Sequence, residues 1–447
     1  MTESRGCRRI SVVGLGKLGA PLAACYADKG HRVIGVDVDP RIVRLINEGR
    51  PPVFERGLEE LLIRCRGRLT ATDDYACAVA ESDVTIIIVP TPSDATGAFS
   101  LRYVLSASKR IGEALRHKDG YHVVALTSTV LPGATEGEIK PVLEARSGKR
   151  YGRGFGLCYS PEFIALGSVI RDLRNPDFVL VGESDARAGD EVVSLVRTIA
   201  ENDPPVARMN IVNAEITKLA VNTFVTTKIT FANMLARICE RMADADVDVV
   251  TDALGLDSRI GRKYLRGALG YGGPCFPRDN VALRYVARRL GVQATLAEAT
   301  DAVNREQVPL LTEVVKSRLP VGGSVGVLGL AYKPDTDVVE ESQGLAFTQS
   351  LLDAGIPVIV YDPAASDNAK RALTGSVRFA SSATECCRDA DVVVVMTAWQ
   401  EFRRIGPADF DGSRRPVIVD CWRILDPWRF VECADYVALG VGRYHSR

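Results

Sequence analysis

A strand that runs directly into three spaced glycines constrains this chain more than any other feature. Ile10-Ser11-Val12-Val13 is apolar and β-branched, and Gly14-Leu15-Gly16-Lys17-Leu18-Gly19 follows it before a helix-compatible stretch over 20–29. In that context the spacing specifies a βαβ turn. The first glycine allows the tight bend, the second lets backbone approach a pyrophosphate, and the third lets the helix pack on the strand with its N-terminus towards the phosphates. Asp37 ends the next strand about 20 residues on, where a carboxylate accepts from a ribose 2′-hydroxyl and repels a 2′-phosphate. NAD is the expected cofactor, with Gly14, Gly16, Lys17, Leu18, Gly19 and Asp37 as its contacts.

The same rhythm recurs. Apolar strand-like runs stand at Arg32–Val36, Val84–Val89, His122–Thr127 and Phe178–Val181, and again at Ser324–Leu328, Val358–Tyr361, Asp391–Thr397 and Pro416–Asp420. Between these groups, from Ala207 to Asp246, apolar residues fall at helical spacing with no glycine or proline. The expected fold is α/β: two Rossmann-like doubly wound parallel sheets joined by a long helical middle. The expected domains are 1–206, 207–305 and 306–447. Ligands of such sheets lie at the carboxyl ends of strands, which makes Thr91 and Thr129, in the loops after two of the strands, candidate contacts.

Composition narrows the partners. Lys plus Arg equals Asp plus Glu at 56 each, and no basic run offers a nucleic-acid footprint. Apolar runs are far shorter than the roughly 20 residues of a membrane span. The N-terminal run Met1–Arg9 is charged and leads into the first strand without an apolar leader segment, so a cytoplasmic protein with a small-molecule substrate is expected. The 11 cysteines lack paired spacing, and the four histidines (His31, His117, His122, His445) lack ligand-spaced neighbours, so neither disulfides nor a metal centre is expected.

One cysteine stands apart. Cys275 lies in Gly270-Tyr271-Gly272-Gly273-Pro274-Cys275-Phe276-Pro277-Arg278-Asp279, where glycines permit close ligand approach and Arg278 and Asp279 supply charge. A thiol so placed can hold an aldehyde covalently.

With these motifs in view, the chain resembles the UDP-glucose/GDP-mannose dehydrogenase family over nearly its whole length. The resemblance rests on the glycine turn, Phe54-Glu55-Arg56-Gly57-Leu58-Glu59-Glu60-Leu61-Leu62, Ser128-Thr129-Val130, Ser160-Pro161-Glu162-Phe163, and Glu215-Ile216-Thr217-Lys218-Leu219-Ala220-Val221-Asn222. It extends to the cysteine loop, Gly329-Leu330-Ala331-Tyr332-Lys333-Pro334-Asp335-Thr336-Asp337, and Asp389-Ala390-Asp391. The resemblance implies oxidation of the C6 alcohol of a nucleotide sugar to a carboxylate with two NAD⁺, UDP-glucose being favoured over UDP-N-acetylhexosamines and GDP-mannose. It makes Cys275 the nucleophile, with Lys218 and Asn222 stabilising an oxyanion. It also implies that Asp279 orders water with Lys218, that Glu162 and Thr129 serve thioester hydrolysis, and that Phe163, Gly272 and Lys333 contact substrate. Arg259 is expected to reach the neighbouring subunit of a homodimer. A catalytically silent sugar-nucleotide-binding regulator and a one-step alcohol dehydrogenase are the alternatives.

Three positions depart from the family pattern. Leu166 stands where a second glutamate is frequent, Glu340-Glu341-Ser342 replaces Arg-Glu-Ser, and Asp420-Cys421-Trp422-Arg423 replaces Asp-Gly-Arg. The last change displaces or removes a substrate-binding arginine and leaves Trp422 either to stack on a base or to pack.

Overall fold

The computed structural model describes residues 7–183, 185–410 and 415–442; residues 1–6 of the N-terminal run and His445 lie outside them. The chain divides into two compact units, Met1–Ala220 and Val221–Arg447.

In the first unit, strands β1 (Arg9–Val13), β2 (Arg32–Val36), β3 (Leu69–Thr72), β4 (Val84–Ile87), β5 (His122–Leu126), β6 (Phe155–Tyr159), β7 (Val179–Glu183) and β8 (Val206–Met209) form one sheet in the order β3-β2-β1-β4-β5-β6-β7-β8. Alternation along the strands feeds two cores. Ile10, Val12, Val123 and Ala125 join one apolar cluster, while Val13, Val124 and Leu126 join the other, so helices cover both faces. Every residue of β5 is buried, each such aliphatic side chain being worth about 1.5–3 kcal/mol.

The expected fold class holds, with two local differences. The sheet is parallel except that β6 and β7 pair antiparallel. Their connection runs irregularly over 160–168, with only the short helix Val169–Arg174 after it, instead of a full crossover helix. The helical stretch expected from Ala207 begins instead as β8, an edge strand whose backbone pairs with β7; Asn210 then accepts from Asn213 N and starts the helix Ile211–Cys239. That helix ends at Cys239, and Asp246 caps a separate helix, Val247–Gly255.

The second unit holds most of this long helix, then Val247–Gly255, Phe276–Arg289 and Thr295–Lys316, and finally a six-stranded sheet. Its strands β9 (Val325–Leu328), β10 (Val358–Tyr361), β11 (Arg378–Phe379), β12 (Val392–Val395), β13 (Val417–Asp420) and β14 (Asp435–Ala438) are all parallel in the order β11-β10-β9-β12-β13-β14. This repeats the strand order of the first six strands. The expected boundary after residue 305 falls inside the helix Thr295–Lys316, whose Leu311 and Val315 pack into the core of the second sheet. Among the described residues no helix is long and apolar enough to cross a membrane.

Candidate active site

The first unit carries a cradle for a dinucleotide. Gly14 has φ +97°, and a Cβ there would lie 2.5 Å from Ile88 O; a Cβ at Gly19 would overlap Gly14 O. Both must be glycine. At Gly16, by contrast, a Cβ would meet nothing within 4 Å, so the backbone before the helix Gly19–Asp28 is open to a ligand. Lys17 and Leu18 complete this turn. Asp37 Oδ2 accepts from Leu15 N at 2.8 Å and Oδ1 from Asp39 N at 2.9 Å, which anchors the carboxylate beside the turn while leaving it partly exposed. These features fit NAD.

The loops after β4 and β5 are tied together. Thr91 Oγ1 donates to Thr129 O at 2.7 Å, and Ser128 Oγ donates to Val89 O at 2.7 Å while accepting from Val89 N. Thr91 thus positions Thr129. Glu215, to which no role had been given, is fully buried and accepts from Gly133 N (2.6 Å) and Thr135 N (2.9 Å), fixing the far end of that loop.

Lys218, almost fully buried, donates to Glu162 O at 2.6 Å, and its Nζ lies 4.3 Å from the centre of the Phe163 ring. The Glu162 carboxyl turns into an apolar recess lined by Leu22, Tyr26, Ile86, Ala125 and Val192. Burial pushes its pKa up to about 7, with the Lys218 charge opposing. Leu166 packs against the same core, which accounts for an apolar side chain at that position. Glu55, buried, accepts from Gly167 N (3.1 Å) and holds this loop.

In the second unit, Cys275 is exposed at the N-cap of the helix Phe276–Arg289. One turn on, Asp279 is fully buried, accepts from Asn222 Nδ2 at 2.6 Å and pairs with Arg278 at 3.0 Å. Asn222 and Lys218 lie i to i+4 on the same helix. The glycines before the thiol are spatially required: a Cβ at Gly272 would overlap Glu341 O, and one at Gly273, where φ is +82°, would sit 2.6 Å from the Tyr332 ring. The Glu340-Glu341 departure therefore lies directly against the cysteine loop, with Glu340 O accepting from Gly273 N at 3.1 Å. Lys333 follows Tyr332 and is half-buried.

Arg259 is 86% exposed and is held by Asp257 at 2.6 Å. Trp422 packs on the second core and donates Nε1 to Met396 O at 2.8 Å. Arg423, with φ +54°, is buried and donates to Asp248 (2.8 and 2.9 Å), Leu439 O and Gly267 O. It is a structural clamp within this unit, so it does not replace the displaced arginine. Arg266, which lies in none of the sequence motifs, donates to Trp422 O and has Asp248 as well as Arg423, Arg403 and Arg262 near its charge.

A dinucleotide cradle on an α/β unit is the equipment of an NAD-dependent dehydrogenase, and the exposed thiol at a helix start in the other unit is a candidate nucleophile. The chain belongs to the UDP-glucose/GDP-mannose dehydrogenase family: the family's NAD binding domain matches residues 8–200, its central domain 212–306 and its UDP binding domain 326–427. The UDP-glucose 6-dehydrogenase AglM of Haloferax volcanii is 38% identical over 420 residues, covering 93% of this chain and 97% of that protein. A GDP-mannose 6-dehydrogenase of Pseudomonas putida is 37% identical over 79% of this chain and 80% of its own length. The structure of a UDP-glucose dehydrogenase from Pyrobaculum islandicum matches with TM-score 0.88 and 34% identity, over 99% of both chains. The protein is an NAD-dependent dehydrogenase of nucleotide sugars.

Proposed function

We propose that the protein oxidises the C6 alcohol of UDP-glucose to the carboxylate in two steps, with Cys275 holding the intermediate. The observation that carries this reading is the exposed thiol at a helix N-terminus, one turn from a buried Asp279–Asn222 pair. A helix N-terminus favours negative charge on sulfur. When bound, NAD⁺ accepts one hydride in each oxidation. The Cys275 sulfur adds to the aldehyde carbon, forming a C–S bond and a thiohemiacetal whose oxygen takes a proton. The second oxidation leaves a thioester, and water attacks its carbon, breaking the C–S bond to release carboxylate, thiol and a proton.

Lys218 and Asn222 supply a cation and an amide donor, one helical turn apart, for the oxyanion of these additions. Glu162, poised near neutral pH, and Asp279 exchange protons with water. Thr129 orients that water, and Phe163 and Gly272 border the sugar. Arg266 and Lys333 meet the diphosphate; burial and the neighbouring Arg423, Arg403 and Arg262 disfavour the Arg266 charge, Asp248 offsets this in part, and an anion would offset more. UDP-glucose is preferred because the most similar relative and solved structure named above are both UDP-glucose dehydrogenases.

The working form is a homodimer. Phe224, Phe231, Met234 and Ile238 form an exposed apolar stripe at helical spacing along Ile211–Cys239 that suits a second copy, and the exposed Arg259 is assigned to the partner's site. The decisive assay follows NADH with NAD⁺ and a panel of UDP- and GDP-sugars. Two NADH per UDP-glucose, abolished in Cys275→Ala, is the expected result; one NADH with free aldehyde would refute the thioester route.

A further inference from the structure

Behind the cysteine loop lies a buried polar cluster of which the sequence motifs contain only Tyr271. Tyr271 is its centre. Its hydroxyl donates to Asp301 Oδ1 at 2.6 Å and accepts from Asn280 Nδ2 at 2.9 Å. Its backbone N–H and C=O are both taken by one amide, Asn304, at 2.8 and 3.0 Å, in the manner of a strand partner. Gln343 Nε2 reaches the same carbonyl at 3.3 Å. Its ring meets Phe276, the neighbour of Cys275, edge-on at 6.5 Å.

Asn280 completes the enclosure. It donates to Asp301 Oδ1 at 3.1 Å and accepts from Thr226 Oγ1 at 3.1 Å, while Arg284 neutralises Asp301 at 3.3 Å. Thr226 stands one turn beyond Asn222, so the long helix grips Asp279 and Asn280 in succession. Tyr271, Asn280 and Asp301 are all buried. Burial and the Asp301 carboxylate together keep the Tyr271 hydroxyl protonated, as a donor must be. Gly270 leaves room for these amides: a Cβ there would lie 2.4 Å from Asn304 Oδ1 and 2.7 Å from Gln343 Oε1, so both side chains would have to shift.

We propose that Tyr271, held by Asp301, Asn280 and Asn304, is a positioning residue that pins both ends of the Gly270–Cys275 loop and so sets where the Cys275 sulfur stands. The loop has anchors on each side of the thiol: Tyr271 four residues before it, and Asp279 and Asn280 in the first turn after it. The glycines between them have little stiffness of their own. Aim is therefore supplied by the cluster. This rests on Cys275 being the nucleophile.

The test compares wild type with Tyr271→Phe, Asp301→Asn and Asn304→Ala in the full-length protein. Three quantities are read: turnover with UDP-glucose, KM for both substrates, and the iodoacetamide alkylation rate of the Cys275 peptide by mass spectrometry. Tyr271→Phe removes one oxygen, and should lower kcat about tenfold or more with KM changed less than about threefold, because displacing a reacting group by about 1 Å costs on the order of a hundredfold. The alkylation rate of Cys275 should shift severalfold in parallel, while NAD binding persists. A lower melting temperature with kcat and alkylation rate both within about twofold of wild type would overturn the proposal, leaving the cluster merely structural. Cys275→Ala reports separately on the nucleophile: full activity there would remove the thiol from the reaction, whereas the alkylation rates would still report on the loop.

Discussion

Single side chains decide whether the second unit holds together and whether it can work. Arg423 is the clearest case, because a buried guanidinium must be matched on every side, and here Asp248 and two carbonyls do so. Removing it in Arg423→Ala strands the partly buried Asp248 carboxylate and should cost about 3 kcal/mol, read as a lower urea midpoint with unchanged slope. Cys275→Ser, by contrast, should fold and bind both ligands yet lose turnover by at least about a thousandfold, since an alkoxide is not formed where a thiolate is. Stopped-flow NADH traces check this. At this scale the candidate positions were legible: Cys275, Lys218, Asn222 and Asp279 sit in compact motifs, and the spacing of Lys218 and Asn222 already puts them one helical turn apart. What escaped was Tyr271 with Asp301 and Asn304, which meet across about 30 positions of chain through hydrogen bonds that no local pattern announces. Arg423 escaped too, for its position in the chain suggested a ligand contact, and only its partners reveal a clamp.

Elements are where the chain was easiest to read and where its edges misled. Buried strands of such sheets are near-continuous apolar runs, so β1, β2, β4, β5, β7, β9, β10, β12 and β13 stood out. The strands that did not were of two kinds: sheet margins such as β3, β8, β11 and β14, and β6, hidden by its glycine and cysteine. An edge strand such as Val206–Met209 buries little, and its place is fixed by backbone pairing with β7, which carries no sequence signature. The glycine turn is the element with the sharpest consequence. Gly19→Ala places a methyl on Gly14 O, so the helix Gly19–Asp28 must back away from β1. NAD affinity should fall about tenfold or more while nucleotide-sugar binding is kept, an outcome that calorimetry with each ligand separates. Gly16→Ala, whose Cβ meets no protein atom, should leave stability unchanged and weaken only the cofactor.

Across the whole molecule, two buried groups pull stability in opposite directions with pH. His122 is held neutral by burial, its pKa lowered to about 3, and it belongs to a buried chain through Thr85 and Ser11. The unfolded chain binds that proton more readily, so stability contributed by His122 is present above its ordinary value near 6.5 and falls as pH drops towards 3, by at most about 1.4 kcal/mol per unit. Glu162 acts the other way: its raised pKa means the native state keeps a proton that the unfolded chain releases, so stability falls as pH rises from about 4.5 to 7. Melting temperature against pH should therefore flatten between about 4.5 and 6.5, and Glu162→Gln should restore a rising profile through that interval. A different large-scale consequence comes from the repeated strand order. The second sheet also turns at a glycine, Gly329 at φ +106°, and a Cβ at Gly344 would overlap Gly329 O just as one at Gly19 would overlap Gly14 O. Asp362 ends β10 as Asp37 ends β2, but Asp362 is buried, with Leu330 N, Ala331 N, Ala364 N, Ala365 N and the Trp399 indole already on its oxygens. The carboxylate that corresponds to Asp37 in the second sheet is thereby taken up by its own chain and not offered to a ribose. A chain with two such sheets thus keeps one berth for the dinucleotide, and the proposed pair of oxidations has to share it in turn, so the half-finished sugar must stay moored to sulfur while the spent carrier leaves and a fresh one docks.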